Sequence, residues 1–361
     1  MLNKLRPALH GLAFLMPLYT LLYLLTAPHA FPRLWLIPLF AAIGWDFFAA
    51  PDRRQPGTVP AALFDLALWV LSGLQLVNVG LLLYVVAEQG LFTVDASVAL
   101  FIVGSGSGYS AIVVAHELVH RPQPALRLLG RALLGTVLYD HFHVEHVRGH
   151  HKRVGTFEDP ATARHGETLF AFVKRGVPGQ FASAWRLETR RLGEADMGFF
   201  DRRQRDNAVL RGVVAELSVV VGIGAFLGPW VALAWCLQAG WAVLLLEAVN
   251  YIEHWGLVRQ KGQVTTLDSF DAEGWWTLYT LIGLSRHADH HAHAARPYPA
   301  LRWFDESPKM PWGYWGTAVT AIFANGVARK RLDQELRRRR LGPYSAVNVT
   351  EAVAPTSSPS S

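Results

Sequence analysis

Long apolar stretches are the feature of this chain that most restricts its fold. Hydrophobic residues make up 51% of the 361 positions, and they come in blocks rather than in short alternating runs. A helix needs about 20 consecutive apolar residues to cross a bilayer. The blocks therefore predict an all-α, polytopic membrane protein with about six transmembrane helices, at residues 9–27, 34–49, 64–86, 94–115, 209–227 and 230–250.

Small residues add detail to these spans. Gly104, Gly106 and Gly108 lie in the fourth predicted span and would permit close helix packing. Gly228 and Pro229 separate the last two spans and predict a tight turn there. The first stretch is too long for the apolar core of a signal peptide, and a second apolar stretch follows it, so a retained first helix is expected.

The distribution of basic residues predicts the orientation. The connections 87–93 and 228–229 contain no Lys or Arg. Because cytoplasmic loops are enriched in these residues, both termini and all the histidine groups are expected in the cytoplasm, with the protein in the inner membrane. Arg33, on the predicted outer side, is the exception. The basic residues cluster at the N-terminus, around Arg53, within 121–205 and after Arg259.

One membrane domain is predicted over residues 1–328, with a cytoplasmic helical cap formed by 116–208 and 251–328. Residues 329–361 are expected to form a basic and then disordered tail. The basic residues flank apolar segments, which indicates membrane lipid and an acidic partner rather than nucleic acid. The single cysteine, Cys236, excludes internal disulfides, iron–sulfur clusters and thiolate zinc sites within this chain.

Histidines are concentrated in four short groups, HELVH, EHVRGHH, NYIEH and RHADHH. His116 and His120 are four residues apart, as are His146 and His150. Residues i and i+4 share one face of a helix at about 5–6 Å between Cβ atoms, which is close enough for two imidazoles to share a metal ion. The pattern predicts a metal site among nine histidines: His116, His120, His146, His150, His151, His254, His287, His290 and His291.

Nine imidazoles are too many for one ion and suit two. Imidazole binds zinc, copper, iron and nickel alike. A dry site open to the bilayer favours an apolar substrate, and oxidation of unactivated C–H bonds requires a redox metal and O₂, so iron is preferred. Five polar neighbours are candidates for orienting the rings, with helix caps or surface pairs as the alternative roles: Glu117, Glu145, Asn250, Glu253 and Asp289.

Other classes of protein explain the histidines less well. HELVH matches the HExxH helix of zinc proteases, with Glu117 as general base, but this assignment leaves seven clustered histidines unexplained. A membrane metal transporter or sensor would need polar residues along a path through the membrane, whereas these groups are predicted at one face.

The four groups resemble the histidine boxes of membrane-bound alkane 1-monooxygenases, and the stretches EDPATARHGE and PWGY are also similar to that family. The resemblance implies six transmembrane helices, a non-haem centre of two iron ions held by the nine histidines, and hydroxylation of alkanes at the terminal carbon with O₂. It also implies rubredoxin as electron donor, and with one cysteine this chain is not expected to contain a rubredoxin domain. The alternative within the same superfamily is a fatty-acyl desaturase or hydroxylase, against which the NYIEH group argues.

Some residues depart from the family pattern. Arg121 replaces the usual lysine after the first box, and the segment 268–276 replaces a different polar segment, which concerns substrate identity more than the metal site. We expect the hydrocarbon to enter between the second to fourth helices. The basic surface formed by Lys152, Arg153 and 186–205 is expected to dock the electron donor, and the alternative is that these charges only set the orientation of the protein in the membrane. Structural roles are expected for four further histidines: His141, His143, His165 and His293.

Overall fold

The computed structural model describes residues 2–57, 61–259 and 262–345, and in these ranges it contains helices and no β-strand. Five helices are long and apolar enough to cross a membrane. They are α1 (Arg6–Thr26), α3 (Ala61–Gln89), α4 (Val94–Val119), α8 (Ala208–Leu227) and α9 (Pro229–His254). The prediction of an all-α, multi-pass membrane protein is confirmed.

The second predicted span differs from the other five. It forms α2 (Leu36–Asp46), whose 11 residues are fewer than a bilayer crossing needs. Trp35, which directly precedes α2, packs against Tyr19, part-way along α1. Therefore α2 begins alongside the middle of α1 rather than at its end. At the other end of α2, Asp46 accepts a hydrogen bond of 3.0 Å from the backbone N–H of Gly316 in the cap. The helix in this region is therefore shorter than the span predicted from the apolar stretch 34–49.

Shorter helices build the cap around the ends of the spans. They are α5 (Pro124–Gly135), α6 (142–153), α7 (Leu169–Arg191), α10 (Trp275–Thr280), α11 (His287–Ala292), α12 (Tyr314–Phe323) and α13 (Asn325–Arg339). Short 3₁₀ turns cover Pro32–Trp35, Arg202–Asp206, Tyr298–Ala300 and Gly342–Tyr344. The predicted tail thus begins within α13, and its Ser/Pro-rich part lies outside the described residues.

Two spans, α4 and α9, pack closely and support the cap. A Cβ atom on Gly104 would lie 2.9 Å from Cδ1 of Trp241, and one on Gly108 would lie 3.1 Å from Cδ1 of Leu245. The predicted close packing at these glycines is therefore confirmed. The predicted turn at Gly228 is confirmed as well, since α8 ends before it and α9 begins after it, at a backbone φ of +101° that favours glycine.

Two stretches of helix have π-type hydrogen bonding. The first, Ser107–Val113, lies in the middle of α4, and the second, Glu145–His150, forms the middle of α6. A π segment pairs residues i and i+5 and often marks a functional site. The second of these segments contains two of the clustered histidines.

Candidate metal centre

All nine clustered histidines converge at one place. They come from the end of α4 and the residue after it, from α6, from the last residue of α9 and from α11. Each helix therefore brings its histidines to the boundary between the spans and the cap. The ring nitrogens fall into two adjoining groups, and rings of the two groups are in contact, for example His151 with His291 at a centroid distance of 4.5 Å.

The first group contains five histidines whose ligand atoms all lie within 4.8 Å of one another. Nε2 of His151 is 3.0 Å from Nε2 of His146 and 3.1 Å from Nε2 of His290. Three helices thus aim their imidazoles at one point. The members are His116, His120, His146, His151 and His290.

The second group contains four histidines and a carboxylate. His150, His254 and His291 form one set within 4.8 Å, and Glu253, His254 and His287 form an overlapping set. Nε2 of His287 is 3.0 Å from Nε2 of His291 and 3.1 Å from Oε2 of Glu253. Glu253 was expected to orient a ring. The structure places its carboxylate among the ring nitrogens of the second group, where it could itself bind a metal ion.

The histidines are divided between the two groups differently from what their spacing in the sequence predicts. His146 and His150, four residues apart, were expected to share an ion. The structure instead pairs His146 with His151, five residues apart, and places His150 in the second group. The cause is the π segment, in which residues i and i+5 become neighbours.

The protonation of these histidines fits a metal ion. Burial and the neighbouring imidazoles lower the pKa of His146, His151, His290 and His291 well below the ordinary value. The rings are therefore neutral, as metal ligands must be. Four rings have a buried Nε2 without a hydrogen-bond partner among the described residues, namely His116, His120, His150 and His254. In His146, His151, His287 and His291 the Nε2 atoms instead face one another in pairs at 3.0 Å. Such a set of donors fits a metal site.

Two of the clustered histidine rings are oriented by groups that the spacing of the histidines does not indicate. Nδ1 of His150 lies 2.8 Å from Oδ2 of Asp159, and Nδ1 of His254 lies 3.2 Å from the carbonyl oxygen of Asp268. Each contact leaves Nε2 facing the group. Although burial opposes it, His150 and Thr162 hold the pKa of Asp159 below its usual value, so this carboxylate is ionised.

The other candidates for orienting the rings have different partners. Glu117 pairs with Arg121 at 2.8 Å, and Glu145 pairs with Arg153 at 2.7 Å. Asp289 accepts from the backbone N–H of Arg302 at 2.7 Å and contacts His293 and Arg296. Asn250 lines a cavity beside the histidines. These carboxylates therefore hold the surrounding cap segments in position.

The four further histidines for which structural roles were expected lie outside the two groups. His141 packs against Tyr139, and His143 contacts the backbone of Asp140. His165 pairs with Asp333 at 2.8 Å, and His293 pairs with Asp289 at 3.0 Å. These contacts agree with the structural roles expected for them.

An apolar cavity reaches both histidine groups. The cavity lies beside α4 and α9, the fourth and sixth predicted spans, and against segments of the cap. Its lining includes Gly108, Ile112, Val113, Leu245, Leu246, Val249, Leu281, Leu284 and Trp315, and it ends at His116, His146 and His287. The expected entrance between the second to fourth helices stays a prediction.

Removing the charge behind His150 should weaken metal binding. In Asp159→Asn the side chain keeps its size but no longer increases the basicity of the imidazole, and we expect metal affinity or turnover to fall by about 10–100-fold. The measurement is the metal content of the purified protein during titration with a chelator. The exposed neighbour Glu158 provides the control, since Glu158→Gln should leave the titration unchanged. Equal behaviour of the two variants would contradict this role for Asp159.

Comparison with known proteins agrees with this site. The family model described as fatty acid desaturase matches residues 94–321. Alkane 1-monooxygenase 1 of Pseudomonas aeruginosa is 37% identical over 262 residues, which cover 71% of this chain and 67% of that protein. Alkane 1-monooxygenase 1 of Alcanivorax borkumensis is 33% identical over 66% of this chain and 60% of its own length.

A more distant relative is the xylene/toluene monooxygenase hydroxylase component of Pseudomonas putida, which is 27% identical over 57% of this chain and 55% of its own length. The range that the family model matches contains the spans α4 and α9 and all four histidine groups. On the strength of the family model and these identities, the chain belongs to the fatty acid desaturase family and, within it, to the alkane 1-monooxygenases.

Proposed function

We propose that this enzyme hydroxylates an alkane or a similar apolar hydrocarbon at its terminal carbon, using O₂ and electrons from rubredoxin. The observation that carries the proposal is the apolar cavity that ends at His116, His146 and His287, and thus at both histidine groups. The balanced reaction is RH + O₂ + 2 e⁻ + 2 H⁺ → ROH + H₂O. Two iron ions, held by the two groups, would supply the redox chemistry that an unactivated C–H bond requires.

The chain's own residues have separate tasks in this reaction. The cavity has a volume of about 40 Å³ and therefore receives the reacting end of the hydrocarbon. Apolar burial holds each methylene at about 0.8 kcal/mol, so binding distinguishes chain lengths better than it distinguishes chemical groups. The buried side chains of Ile112 and Leu246 line the cavity and make it unfavourable for water. Asp159 and the carbonyl of Asp268 hold the tautomers of their histidines.

Glu253 has two partners that position it within the second group. Its Oε2 faces His287 at 3.1 Å, and Tyr314 donates a hydrogen bond to its Oε1. Glu253 is 1% exposed. A carboxylate held in this way can serve as an oxygen ligand beside the imidazoles.

The proposed electron donor is an acidic protein that docks on the basic cap. Lys152, Arg186 and Arg190 are exposed beside the α6 segment that carries His150 and His151. Arg191 is instead committed to Glu188 at 2.8 Å. Exposed positive charge next to the ligands supports rapid docking of rubredoxin. We further propose that the protein lies in the inner membrane with both termini in the cytoplasm.

Whole-cell conversion of a hydrocarbon panel tests the proposal. Rubredoxin and its reductase are supplied, and the panel contains linear alkanes, alkyl-aromatics and fatty-acyl substrates. We expect terminal alcohols from alkanes, and we expect no product in cells that lack rubredoxin. Absence of an oxygenated product from any alkane or alkyl-aromatic would overturn the proposal. Products formed only from acyl substrates would assign a desaturase or acyl hydroxylase instead.

A further inference from the structure

A second cavity lies at the base of α1, on the cap side of the molecule and outside the histidine groups. Its lining includes Arg6 and His10 of α1, Arg54, Tyr279, Arg286 and Tyr298. We refer to these six residues as the basic cavity. No carboxylate lines it among the described residues.

The positive charge of this cavity exceeds what its neighbours neutralise. Asp52 contacts Arg6 at 3.5 Å and Arg54 at 2.6 Å, and it is buried. Arg286 binds backbone carbonyls instead, including that of Arg54 at 2.6 Å. Asp271 also acts on Arg286, but it is paired with Lys309 at 3.5 Å. One carboxylate in contact with the guanidinium groups of Arg6 and Arg54, and none in contact with that of Arg286, leaves an excess of positive charge in this recess.

Two buried nitrogens in the cavity lack a hydrogen-bond partner among the described residues. Nε of Arg286 always donates, and Nδ1 of His10 donates in one of its two neutral tautomers. Arg286 is 3% exposed, and its Nε has no hydrogen-bond partner among the described residues. The same holds for Nδ1 of His10, whose ring is held edge-on by Phe64, Tyr279 and Tyr298 at centroid distances of 5.0–5.5 Å. Buried donors normally have an acceptor, so the cavity offers hydrogen bonds to an anion.

The cavity lies where lipid headgroups are expected. Arg6 begins α1, and Phe64 lies in the first turn of α3, so both spans enter the membrane from this level. Further along the same helices Leu15 is 49% exposed and Leu66 is 59% exposed, as side chains that contact lipid tails are. A phospholipid whose phosphate group occupies the cavity would have its acyl chains beside these leucines.

We propose that the basic cavity binds the phosphate group of an anionic membrane lipid. Guanidinium groups match phosphate oxygens in geometry and charge, and the position at the end of α1 and α3 favours a lipid over free phosphate. The ligand would also stabilise the segment that carries the metal ligands. Arg286 directly precedes His287, and the backbone N–H of Tyr298 lies 3.4 Å from Oε1 of Glu117, which neighbours His116.

Thermal unfolding of the full-length protein in neutral detergent tests this site, followed by tryptophan fluorescence. Phosphatidylglycerol in mixed micelles should raise the Tm, whereas phosphatidylcholine and inorganic phosphate at the same concentration should not. In Arg54→Gln the midpoint of the phosphatidylglycerol titration should move to about tenfold higher concentration, the effect of losing one hydrogen bond to a charged group. Arg54→Lys, which keeps the charge, should recover part of the affinity and exclude misfolding as the cause.

Arg53 provides the matched control. It is the preceding residue, its side chain is 59% exposed, and it pairs with Glu273 outside the basic cavity. Arg53→Gln should leave the titration unchanged, with equal metal content in all variants. Equal losses in Arg53→Gln and Arg54→Gln would overturn the site, because they would indicate a general surface effect. Equal stabilisation by the two lipids would overturn it too, and protection by inorganic phosphate would overturn the assignment to lipid.

Discussion

Replacing His150 with alanine is expected to remove the metal ion of the second histidine group and to lower turnover by more than about 100-fold, since even the loss of a group that orients a ligand costs about 10–100-fold. His150 is 2% exposed and lies between His254 and His291, at ring-centroid distances of 4.9 and 4.8 Å. Without it the group keeps three imidazoles and Glu253. The measurement is iron per chain in purified protein, together with alkane conversion in cells.

The matched variant His151→Ala separates the two groups. His151 belongs to the first group, so each variant should lose the ion of its own group and keep part of the other, if the centre holds two ions. A single shared ion would be lost completely in both variants. His293→Ala is the control, since His293 is half-exposed and lies outside both groups. All three variants should reach the membrane in normal amounts, because the spans do not depend on the metal. Full iron content in both ligand variants would contradict the site.

The spans were predictable from sequence because the membrane imposes one simple requirement, an apolar helix of sufficient length. The predictions for α4 and α9 begin within one residue of the observed helices. The requirement fails for α2, where the 3₁₀ turn at Pro32–Trp35 and the contact of Trp35 with Tyr19 shorten the path. Contacts of this kind depend on tertiary packing, which an apolar window does not represent.

The set of histidines was predictable, but their division into two groups was not. Spacing by four assumes α-helical geometry, and the π segment Glu145–His150 changes which histidines are neighbours. Nothing in the local sequence predicts such a segment. The spacing of the histidines also does not indicate that Asp159 orients His150 or that Tyr314 contacts Glu253. Asp159 lies in the stretch EDPATARHGE, and Tyr314 lies in PWGY. Both stretches were noted for their resemblance to the family, and only the fold shows which residues in them reach the centre.

The second large effect is expected from filling the apolar cavity. Val249 lines it on α9, and in Val249→Trp the indole must occupy space that the hydrocarbon would use. Each methylene of the hydrocarbon that the indole displaces loses about 0.8 kcal/mol of apolar burial, which corresponds to a loss of roughly fourfold in alkane turnover per methylene. Alkanes of every length should be slowed, because each must bring its reacting end into this space. The measurement is the rate of alcohol formation across a series of chain lengths.

The control variant introduces the same indole at a position where the side chain faces lipid. Val221 on α8 is 68% exposed, so Val221→Trp should leave the rates unchanged. Iron content should equal that of the unmodified enzyme in both variants, because Val249 is not a ligand and the two groups are held from four separate segments. A slow Val249→Trp enzyme with full iron content would therefore locate the defect in substrate binding. Unchanged rates at every chain length would mean that the hydrocarbon reaches the histidines by another route, and the cavity between α4 and α9 would lose its assigned role.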